Sequence, residues 1–288
     1  MARVDGRSLK TIELYHYVFD SFTQFLETKT TSPTDIKVFT IRSYLAHLQD
    51  RGLKTTTIAI HLRVLKALFN WLVREGFMTK VQNPAGEIKS PRTSKRYPFI
   101  LSDAQVAALL KVPDRTTWTG FRNYTILLTF LDVGLRLNEL INLEIGDLNL
   151  TQRSLKIHGK GAKDRVCFMG GRLTKAMKRW IDLRGYQPYS EEVFITHIGD
   201  RLQPRRVQHI VSQLGDKARI KGVRISPHTL RHTSATLAVR NGLDVFSLQR
   251  LFGWEKVETA MRYIHMSGRA LQEAFSRASP VDRLLGGK

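Results

Sequence analysis

Apolar residues at helical spacing predict that the first third of the chain is helical. One stripe steps by three or four residues and comprises Leu14, Val18, Phe22 and Phe25. Thr40 is placed to cap a second helix, whose apolar positions are Ile41, Tyr44, Leu45 and Leu48. These two stripes indicate a small helical domain.

The clearest stripe follows Lys54 and predicts a third helix. Its apolar positions again step by three or four: Ile58, Leu62, Leu65, Phe69 and Leu72. Four polar residues lie mostly off this stripe: His61, Lys66, Asn70 and Arg74. Gly76 comes next, and glycine commonly ends a helix.

Prolines interrupt the helical pattern between Gln82 and Pro98. They stand among the basic residues Lys89, Arg92, Lys95 and Arg96. Prolines at this density prevent a continuous helix and favour an extended path. We therefore predict an N-terminal helical domain at 1–88, a basic linker at 89–98 and a second domain at 99–288.

The second domain combines helices with a small sheet. Ser102 to Gln105 has the form of a capping box and opens a helix through Leu110, and a further helix is predicted for Phe121 to Leu131. Two apolar arms between Leu155 and Met169 flank a glycine-containing turn, which predicts a β-hairpin. Helical patterning then runs from Leu173 to Phe275, with breaks near Pro188 and Pro227. The fold class is therefore mainly α, with a mixed α+β second domain.

The charge balance points to nucleic acid. The chain has 288 residues, 42% of them hydrophobic, and a formal net charge of +21. So large a surplus attracts polyanions and makes their binding sensitive to salt. A merely soluble basic protein, or one that binds acidic membranes, would share this charge. On the nucleic-acid interpretation, the linker is either an ordinary solvated connection or a basic strap lying against DNA, and both can hold.

Cysteine content and hydropathy favour a cytoplasmic protein. The only cysteine, Cys167, excludes an internal disulfide framework and a cysteine-based zinc cluster. Met1 to Lys10 lacks the apolar core of a signal peptide, and we expect no membrane span, because no stretch of about 18 apolar residues is evident.

Two basic segments can bind phosphate. Arg136 and Glu139 stand three residues apart, which places them on one helical face, although a surface ion pair would leave the same pattern. Lys160 lies between Gly159 and Gly161 at the hairpin turn, with Lys163 and Arg165 nearby. Glycines expose backbone N–H groups and allow a phosphate to approach closely, but a basic hairpin turn without a ligand is equally consistent.

The segment from Ser226 to His232 is more specific. Pro227 stands at a helix start, and His228 and Arg231 share one face. A phosphodiester reaction can use such a pair, because arginine binds two non-bridging oxygens and histidine transfers a proton. We expect His232 to pack against or cap the helix. Trp254 and Tyr263 would each be interpreted as core residues if they stood alone.

Taken together and in this order, these segments resemble the tyrosine recombinase (phage integrase) family, specifically its small Xer-like members. The resemblance covers nearly the whole chain and is strongest from His228 to Thr236. The N-terminal helices resemble the family's SAM-like core-binding domain, and residues from about 99 onward resemble its catalytic domain. The family pattern carries over to six positions: Arg136, Lys160, His228, Arg231, Trp254 and Tyr263.

Two positions depart from the Xer-like pattern. Asp132 precedes Val133 and Gly134 where many relatives carry threonine before the glycine, and Trp254 stands where most Xer-like proteins have histidine, as in the Cre-type variant. An indole N–H can donate a hydrogen bond but cannot exchange a proton. Proton transfer would therefore fall to Lys160 and His228.

The resemblance implies a site-specific recombinase that cuts and rejoins DNA without ATP, metal or another cofactor. Tyr263 would form a 3′-phosphotyrosyl link, His228 would accept its proton, and Lys160 would protonate the departing 5′-oxygen. Arg136 and Arg231 would stabilise the phosphorane, with Glu139 orienting Arg136 or His228. The resemblance also implies a homo-tetramer, or an assembly with a related recombinase, on double-stranded DNA with paired inverted half-sites. The tail from Leu271 to Leu285 would dock on the neighbouring subunit, or else fold on its own domain.

We further expect DNA contacts from basic residues of both domains, the linker and the hairpin: Lys54, His61, Lys66, Lys89, Arg92, Lys95, Arg96, Lys163 and Arg165. Two alternatives keep the same fold: a type IB topoisomerase-like enzyme that relaxes supercoils, and a DNA-binding regulator without catalytic activity. A metal-dependent nuclease is disfavoured, because no paired carboxylates lie near these motifs.

Overall fold

The computed structural model describes residues 8–26, 32–91, 98–159 and 164–264. The chain divides into two compact units, Met1–Arg96 and Tyr97–Lys288.

The first unit is built on three helices, α1 (Leu9–Leu26), α2 (Val38–Asp50) and α3 (Thr55–Arg74). The stripe predicted for α3 is buried at all five positions: Ile58, Leu62, Leu65, Phe69 and Leu72. It packs with buried residues of α1 and α2: Val18, Phe22, Ile41, Tyr44 and Leu48. The helical prediction for this region is therefore confirmed.

The start of α2 and the end of α3 test two local predictions. The prediction that Thr40 caps α2 is wrong, because Lys37 is the N-cap and the helix begins at Val38. A 3₁₀ turn at Pro33–Asp35, capped by Ser32, precedes α2, and the helix begins two residues before Thr40. The predicted end of α3 is confirmed, since the helix stops at Arg74 and Gly76 adopts a φ of +79°.

His61 is a core residue of this unit. Its side chain is 1% exposed and its Nδ1 lies 2.8 Å from the Tyr44 hydroxyl. The prediction that His61 contacts DNA is wrong, because its buried ring packs against Tyr17 of α1 and Tyr44 of α2. Burial, with a smaller effect of Arg51, lowers the pKa of His61 and favours the neutral ring.

Among the described residues, α3 is the one helix long and apolar enough to cross a membrane by length and composition, with a mean hydropathy of 1.2. The sequence expectation overlooked this helix. Its apolar stripe packs against α1 and α2, which is the arrangement of a core helix in a globular domain.

In the second unit, the described residues form a three-stranded sheet and eight α-helices. The strands are β1 (Leu148–Asn149), β2 (Ser154–Ile157) and β3 (Arg165–Phe168), antiparallel in that order. The helices are α4 (Asp103–Lys111), α5 (Trp118–Asp132), α6 (Leu137–Ile141), α7 (Gly171–Arg184), α8 (Pro204–Lys217), α9 (Pro227–Arg240), α10 (Val245–Phe252) and α11 (Val257–Ile264). The predicted hairpin is confirmed as β2 and β3, and the four residues 160–163 of its turn lie outside the described ranges.

Helix α5 forms the centre of this unit. Every residue from Phe121 to Phe130 except Asn123 is buried, and α7 and α9 pack against the helix. The predicted capping box of α4 is confirmed, since Ser102 and Gln105 exchange side chain–backbone hydrogen bonds. Pro227 occupies the first turn of α9, as its position in the sequence predicts.

A separate apolar cluster joins α9, α10 and α11. Its buried members include Ala235, Leu248, Phe252 and Tyr263. This cluster fixes α10 and α11 against α9 and brings Trp254, which follows the end of α10, beside Tyr263 of α11.

Candidate active site in the second unit

Arg136 and Glu139 are joined by a cap at the start of α6. The Arg136 backbone N–H donates to Glu139 Oε2 at 2.7 Å, and its Nη1 donates to Oε1 at 2.7 Å. The prediction of a shared helical face is corrected in one respect, because Arg136 is the N-cap and only Glu139 lies within the helix. This geometry fixes the guanidinium relative to its own backbone.

Gly134 makes the sharp turn that leads to Arg136. Its φ is +68°, and a Cβ there would lie 2.3 Å from the ring of Phe252. Any side chain would therefore clash with the end of α10. The turn brings the Gly134 carbonyl within 2.6 Å of Arg231 Nη1, which donates to it.

The C-terminus of α10 collects three guanidinium groups. The carbonyls of Leu251, Phe252 and Gly253 accept hydrogen bonds of 2.8, 2.5 and 2.7 Å. Their donors, in the same order, are Arg165, Arg231 and Arg136. The last carbonyls of a helix have no partner within it and carry partial negative charge, so this end of α10 holds the arginines in place.

Glu139 offsets one of the three positive charges of the same cluster. Its carboxylate forms two hydrogen bonds with Arg165, at 2.9 and 2.8 Å, and lies 3.8 Å from Arg231 Nη1. Burial by itself raises the pKa of Glu139, but hydrogen bonds from Arg165 and Arg136 outweigh it and lower the pKa to about 2. The buried carboxylate is therefore ionised at neutral pH.

Arg165 is part of this buried network. Its side chain is 11% exposed and is bound to Glu139 and to the Leu251 carbonyl. The prediction that Arg165 contacts DNA is wrong, because its side chain is buried and its Nε, Nη1 and Nη2 atoms already donate to Leu251 and Glu139. The alternation of side chains along β3 indicates this burial. Arg165 lies on the same face of the strand as the buried Cys167, and it pairs with the buried Ile157 of β2.

Helix α9 presents its first turn to the arginine cluster. Ser226 caps the helix by accepting from the Thr229 N–H at 3.2 Å. Arg231 is 5% exposed, and burial together with the charge of Arg136 lowers its pKa to about 10, which leaves it protonated at neutral pH. His228 lies one turn earlier on the same side of the helix, as predicted, and is exposed.

Tyr263 lies between an indole and an imidazole. Its ring stacks on Trp254 with centroids 5.2 Å apart and an interplanar angle of 5°. Its hydroxyl is hydrogen-bonded to Nδ1 of His232, and Nε2 of His232 lies 2.7 Å from Nε2 of His228. Burial raises the pKa of the Tyr263 phenol, which is 3% exposed.

His232 is the functional candidate that the sequence interpretation missed. It was expected to pack against or cap the helix, whereas it links the two predicted catalytic residues. The signal was its spacing of four residues from His228, because side chains at this spacing are neighbours on a helix.

A cleft of about 570 Å³ brings most of the predicted catalytic set together. Its lining includes Arg136, His228, Arg231 and Trp254, together with Gln208 and Arg224. Tyr263 stacks on Trp254, which is one of these lining residues. Lys160 lies outside the described residues.

The predicted DNA contacts fall in several places. In the first unit Lys54 and Lys89 are exposed and Lys66 is half-buried, so these positions stay predictions. Five further residues or segments lie outside the described ranges: Arg92, Lys95, Arg96, Lys163 and the tail from Leu271 to Leu285.

Comparison with known proteins gives matches across both units. The sequence matches the phage integrase family over residues 100–269 and the phage integrase N-terminal SAM-like domain over residues 2–76. It is 34% identical to tyrosine recombinase XerC of Pelobacter propionicus, over 86% of this chain and 81% of the relative. It is 29% identical to tyrosine recombinase XerD of Staphylococcus epidermidis, over 96% and 94%.

The fold has close structural counterparts. A crystal structure of XerH site-specific recombinase, bound to palindromic difH substrate in a post-cleavage complex, matches with a TM-score of 0.80. The two proteins are 22% identical over 94% of this chain and 80% of the other. The predicted family and fold are confirmed, and the relatives do not favour a topoisomerase or a silent regulator. The chain belongs to the phage integrase family and is a tyrosine-type site-specific recombinase.

Proposed function

We propose that this chain cuts a DNA strand with Tyr263 as the nucleophile and reseals it by the reverse reaction. The phenol oxygen would form a 3′-phosphotyrosyl bond and release a 5′-hydroxyl, so the phosphodiester energy is kept and no ATP, metal or cofactor is needed. The observation that carries the proposal is the convergence of Arg136, His228 and Arg231 on one cleft whose wall, Trp254, stacks on Tyr263.

The two cleft arginines supply positive charge for the phosphorane. Each keeps donors for phosphate oxygens, because a guanidinium has five N–H groups and only some are used by the carbonyls and Glu139. Their fixed positions matter because donors arranged before the reaction need not reorganise as charge develops. Removing one such donor typically lowers the rate about 10²–10³-fold.

Glu139 acts as a positioning residue for these arginines. It bonds Arg136 directly, approaches Arg231, and lies against Arg165 on its other side. A rigid hydrogen-bonded support of this kind keeps the donor geometry that the reaction requires. We therefore assign Glu139 to the orientation of arginines rather than of His228.

Trp254 would donate its indole N–H to a phosphate oxygen and keep Tyr263 in place by stacking. The phenol needs a base, because burial raises its pKa above the ordinary value of about 10. His228 can accept the proton, since partial burial of its ring and the charge of Arg231 lower its pKa and favour the neutral ring. Lys160 is proposed as the acid for the 5′-oxygen on the strength of the family resemblance alone.

Access to the phosphate requires a change around α11. Attack brings the reacting atoms to roughly 3–3.5 Å, whereas Tyr263 is 3% exposed. We therefore expect DNA binding to expose the Tyr263 hydroxyl to the cleft while its hydrogen bond to His232 is kept.

The DNA partner is proposed to be a duplex with paired inverted half-sites. The XerH relative is bound to a palindromic substrate, and the net charge of +21 favours strong, salt-sensitive DNA binding by this chain. We further propose a homo-tetramer on DNA, or an assembly with a related recombinase, a neighbour-docking role for the tail from Leu271 to Leu285, and a cytoplasmic location. The basic contacts at Lys54, Lys66 and Lys89 belong to the same proposal.

Tyr263→Phe tests the proposal. The substrate is a duplex selected by the protein from a random-sequence pool and nicked in its spacer, so that a cleaved strand cannot be resealed. We expect the variant to bind this duplex but to form no SDS-resistant adduct, while Tyr189→Phe, at a 99% exposed position, forms adduct as the unmodified protein does. Adduct formation by Tyr263→Phe would refute the nucleophile assignment, and site-independent plasmid relaxation by a monomer would favour the topoisomerase alternative.

The acid is tested separately with Lys160→Ala. A 5′-thiolate leaving group needs no protonation, so a bridging sulfur at the scissile position should restore cleavage by this variant. A failure to restore it would assign the acid to another residue.

A further inference from the structure

A continuous hydrogen-bonded chain leads from the buried phenol to the cleft. Tyr263 bonds to Nδ1 of His232, and Nε2 of His232 is 2.7 Å from Nε2 of His228. His228 lines the cleft, whereas Tyr263 is 3% exposed. The route from the phenol oxygen to the cleft therefore passes through both imidazoles.

The fold creates this chain from two neighbouring helices. His228 and His232 lie one turn apart on α9, with ring centroids 4.1 Å apart. Helix α11 brings Tyr263 to the other side of His232, with ring centroids 5.7 Å apart. The cluster of α9, α10 and α11 side chains that buries Tyr263 thus also aligns the three polar groups.

Each bond in the chain determines where the protons lie. A protonated phenol donates to Nδ1 of His232, so the neutral His232 ring carries its proton on Nε2. That proton is donated to Nε2 of His228, which must be unprotonated, so neutral His228 carries its proton on Nδ1. Burial, His228, Arg231 and Arg262 lower the pKa of His232 to about 4, which agrees with a neutral ring at this position.

We propose that His232 is a catalytic residue that relays the proton between Tyr263 and His228, an inference that rests on the proposed role of Tyr263 as nucleophile. As the phenol oxygen bonds to phosphorus, its proton passes to Nδ1 of His232. The proton on Nε2 of His232 passes at the same time to Nε2 of His228. His232 ends neutral in its other tautomer and His228 ends as an imidazolium. Resealing reverses both transfers, and the departing tyrosine recovers its proton.

The variant His232→Asn distinguishes a role in proton transfer from a role in positioning the Tyr263 phenol. The Oδ1 atom of asparagine lies close to the place of Nδ1 and can still accept a hydrogen bond from the phenol. It offers no second nitrogen toward His228, so the phenol stays positioned but its proton has no path. We expect adduct formation on the nicked selected duplex to slow by about 10²-fold or more, the usual worth of a positioned general base. His197→Asn, at an exposed histidine away from the cleft lining, is the matched control and should keep the normal rate.

Lowering the pKa of the phenol distinguishes a lost proton path from a general defect. Incorporation of 3,5-difluorotyrosine at position 263 makes the phenol more acidic and less dependent on a base. It should restore cleavage by His232→Asn by about tenfold or more and change the rate of the otherwise unmodified enzyme much less. Cleavage at the normal rate by His232→Asn, or a loss that difluorotyrosine does not relieve, would overturn the relay.

An isotope measurement on the unmodified enzyme guards against a variant that fails to fold. On the substrate with a bridging 5′-sulfur, whose leaving group needs no proton, the two relay protons give a curved dependence of the cleavage rate on the D₂O fraction, and a linear dependence would contradict the relay. All of these assays require the unmodified enzyme to form its adduct. A missing adduct would refute the proposed function itself, whereas a normal adduct with an insensitive His232 would refute only the relay.

Discussion

Glu139→Gln should weaken the second unit substantially, because Glu139 is the buried carboxylate that the three arginines share. Its side chain is 8% exposed and bonds both Arg136 and Arg165. Glutamine keeps the shape but removes the negative charge and turns one acceptor into a donor facing guanidinium groups. The arginines would then repel one another with only backbone carbonyls to offset their charge.

The size of the loss follows from the pKa of Glu139. A shift from 4.5 to about 2 means that the fold favours the carboxylate over the neutral acid by roughly 3 kcal/mol. In other proteins, deletion of one partner of a buried ion pair lowers the free energy of unfolding by about 3–5 kcal/mol. For a unit of this size each kcal/mol corresponds to roughly 2–4 °C, so the melting temperature should fall by about 6–12 °C.

Denaturant unfolding of the full chain, followed by tryptophan fluorescence, measures this loss. Trp118, Trp180 and Trp254 are three of the four tryptophans and all lie in the second unit. Asp103→Asn is the matched control, because Asp103 forms a two-point pair with Arg240 at an exposed position and its loss should cost less than about 1 kcal/mol.

The pH dependence gives a second check with a defined sign. The carboxyl has a lower pKa in the folded state, so its contribution is complete above about pH 4.5 and is lost as pH falls toward 2. The difference between the unmodified chain and Glu139→Gln should shrink over that window. A variant no less stable than Asp103→Asn, or a constant difference across the window, would refute the role of Glu139 as the shared counter-charge.

Three further predictions concern the turn, the first unit and the site histidines. Gly134→Ala should lower the free energy of unfolding by about 2–4 kcal/mol and abolish adduct formation, because its methyl group would clash with Phe252; a normal melting curve would contradict this. Tyr44→Phe should cost about 1–3 kcal/mol in denaturant unfolding, since it leaves His61 buried without its partner, and a neutral effect would refute that bond's importance. The folded-state pKa of His232 is about 4, so the contribution of this residue to the free energy of unfolding is complete above pH 6.5 and is lost as the pH falls toward 4. In this window, His232→Asn should flatten the dependence of the free energy of unfolding on pH.

Local patterns in the sequence predicted those parts of the fold that depend on neighbouring residues. The α3 stripe predicted the core of the first unit, and Ser102 with Gln105 predicted the start of α4. Helical periodicity and capping involve contacts within a few residues, so both can be identified without knowledge of the tertiary fold.

Burial of polar side chains was predicted less well, because it depends on contacts distant in the sequence. His61 is buried by Tyr44 of another helix, and Arg165 is held by Glu139 and by a carbonyl of α10. Both were interpreted as exposed basic contacts for DNA. In each case a partner more than fifteen residues away determines the environment, and periodicity within one segment does not reveal it.

The candidate site shows the same division. Motif order identified the residues that line the cleft, and the structure brings Arg136, His228, Arg231 and Trp254 together. The role of His232 depends on the position of α11 beside α9, which no spacing within either helix specifies.

Mapping the covalent adduct tests the central claim most directly. The unmodified enzyme is trapped on the nicked selected duplex, digested with a protease, and the DNA-linked peptide is identified by mass spectrometry. The account predicts a nucleotide joined through its 3′-phosphate to Tyr263. An adduct on any other residue, or one joined through a 5′-phosphate, would contradict it.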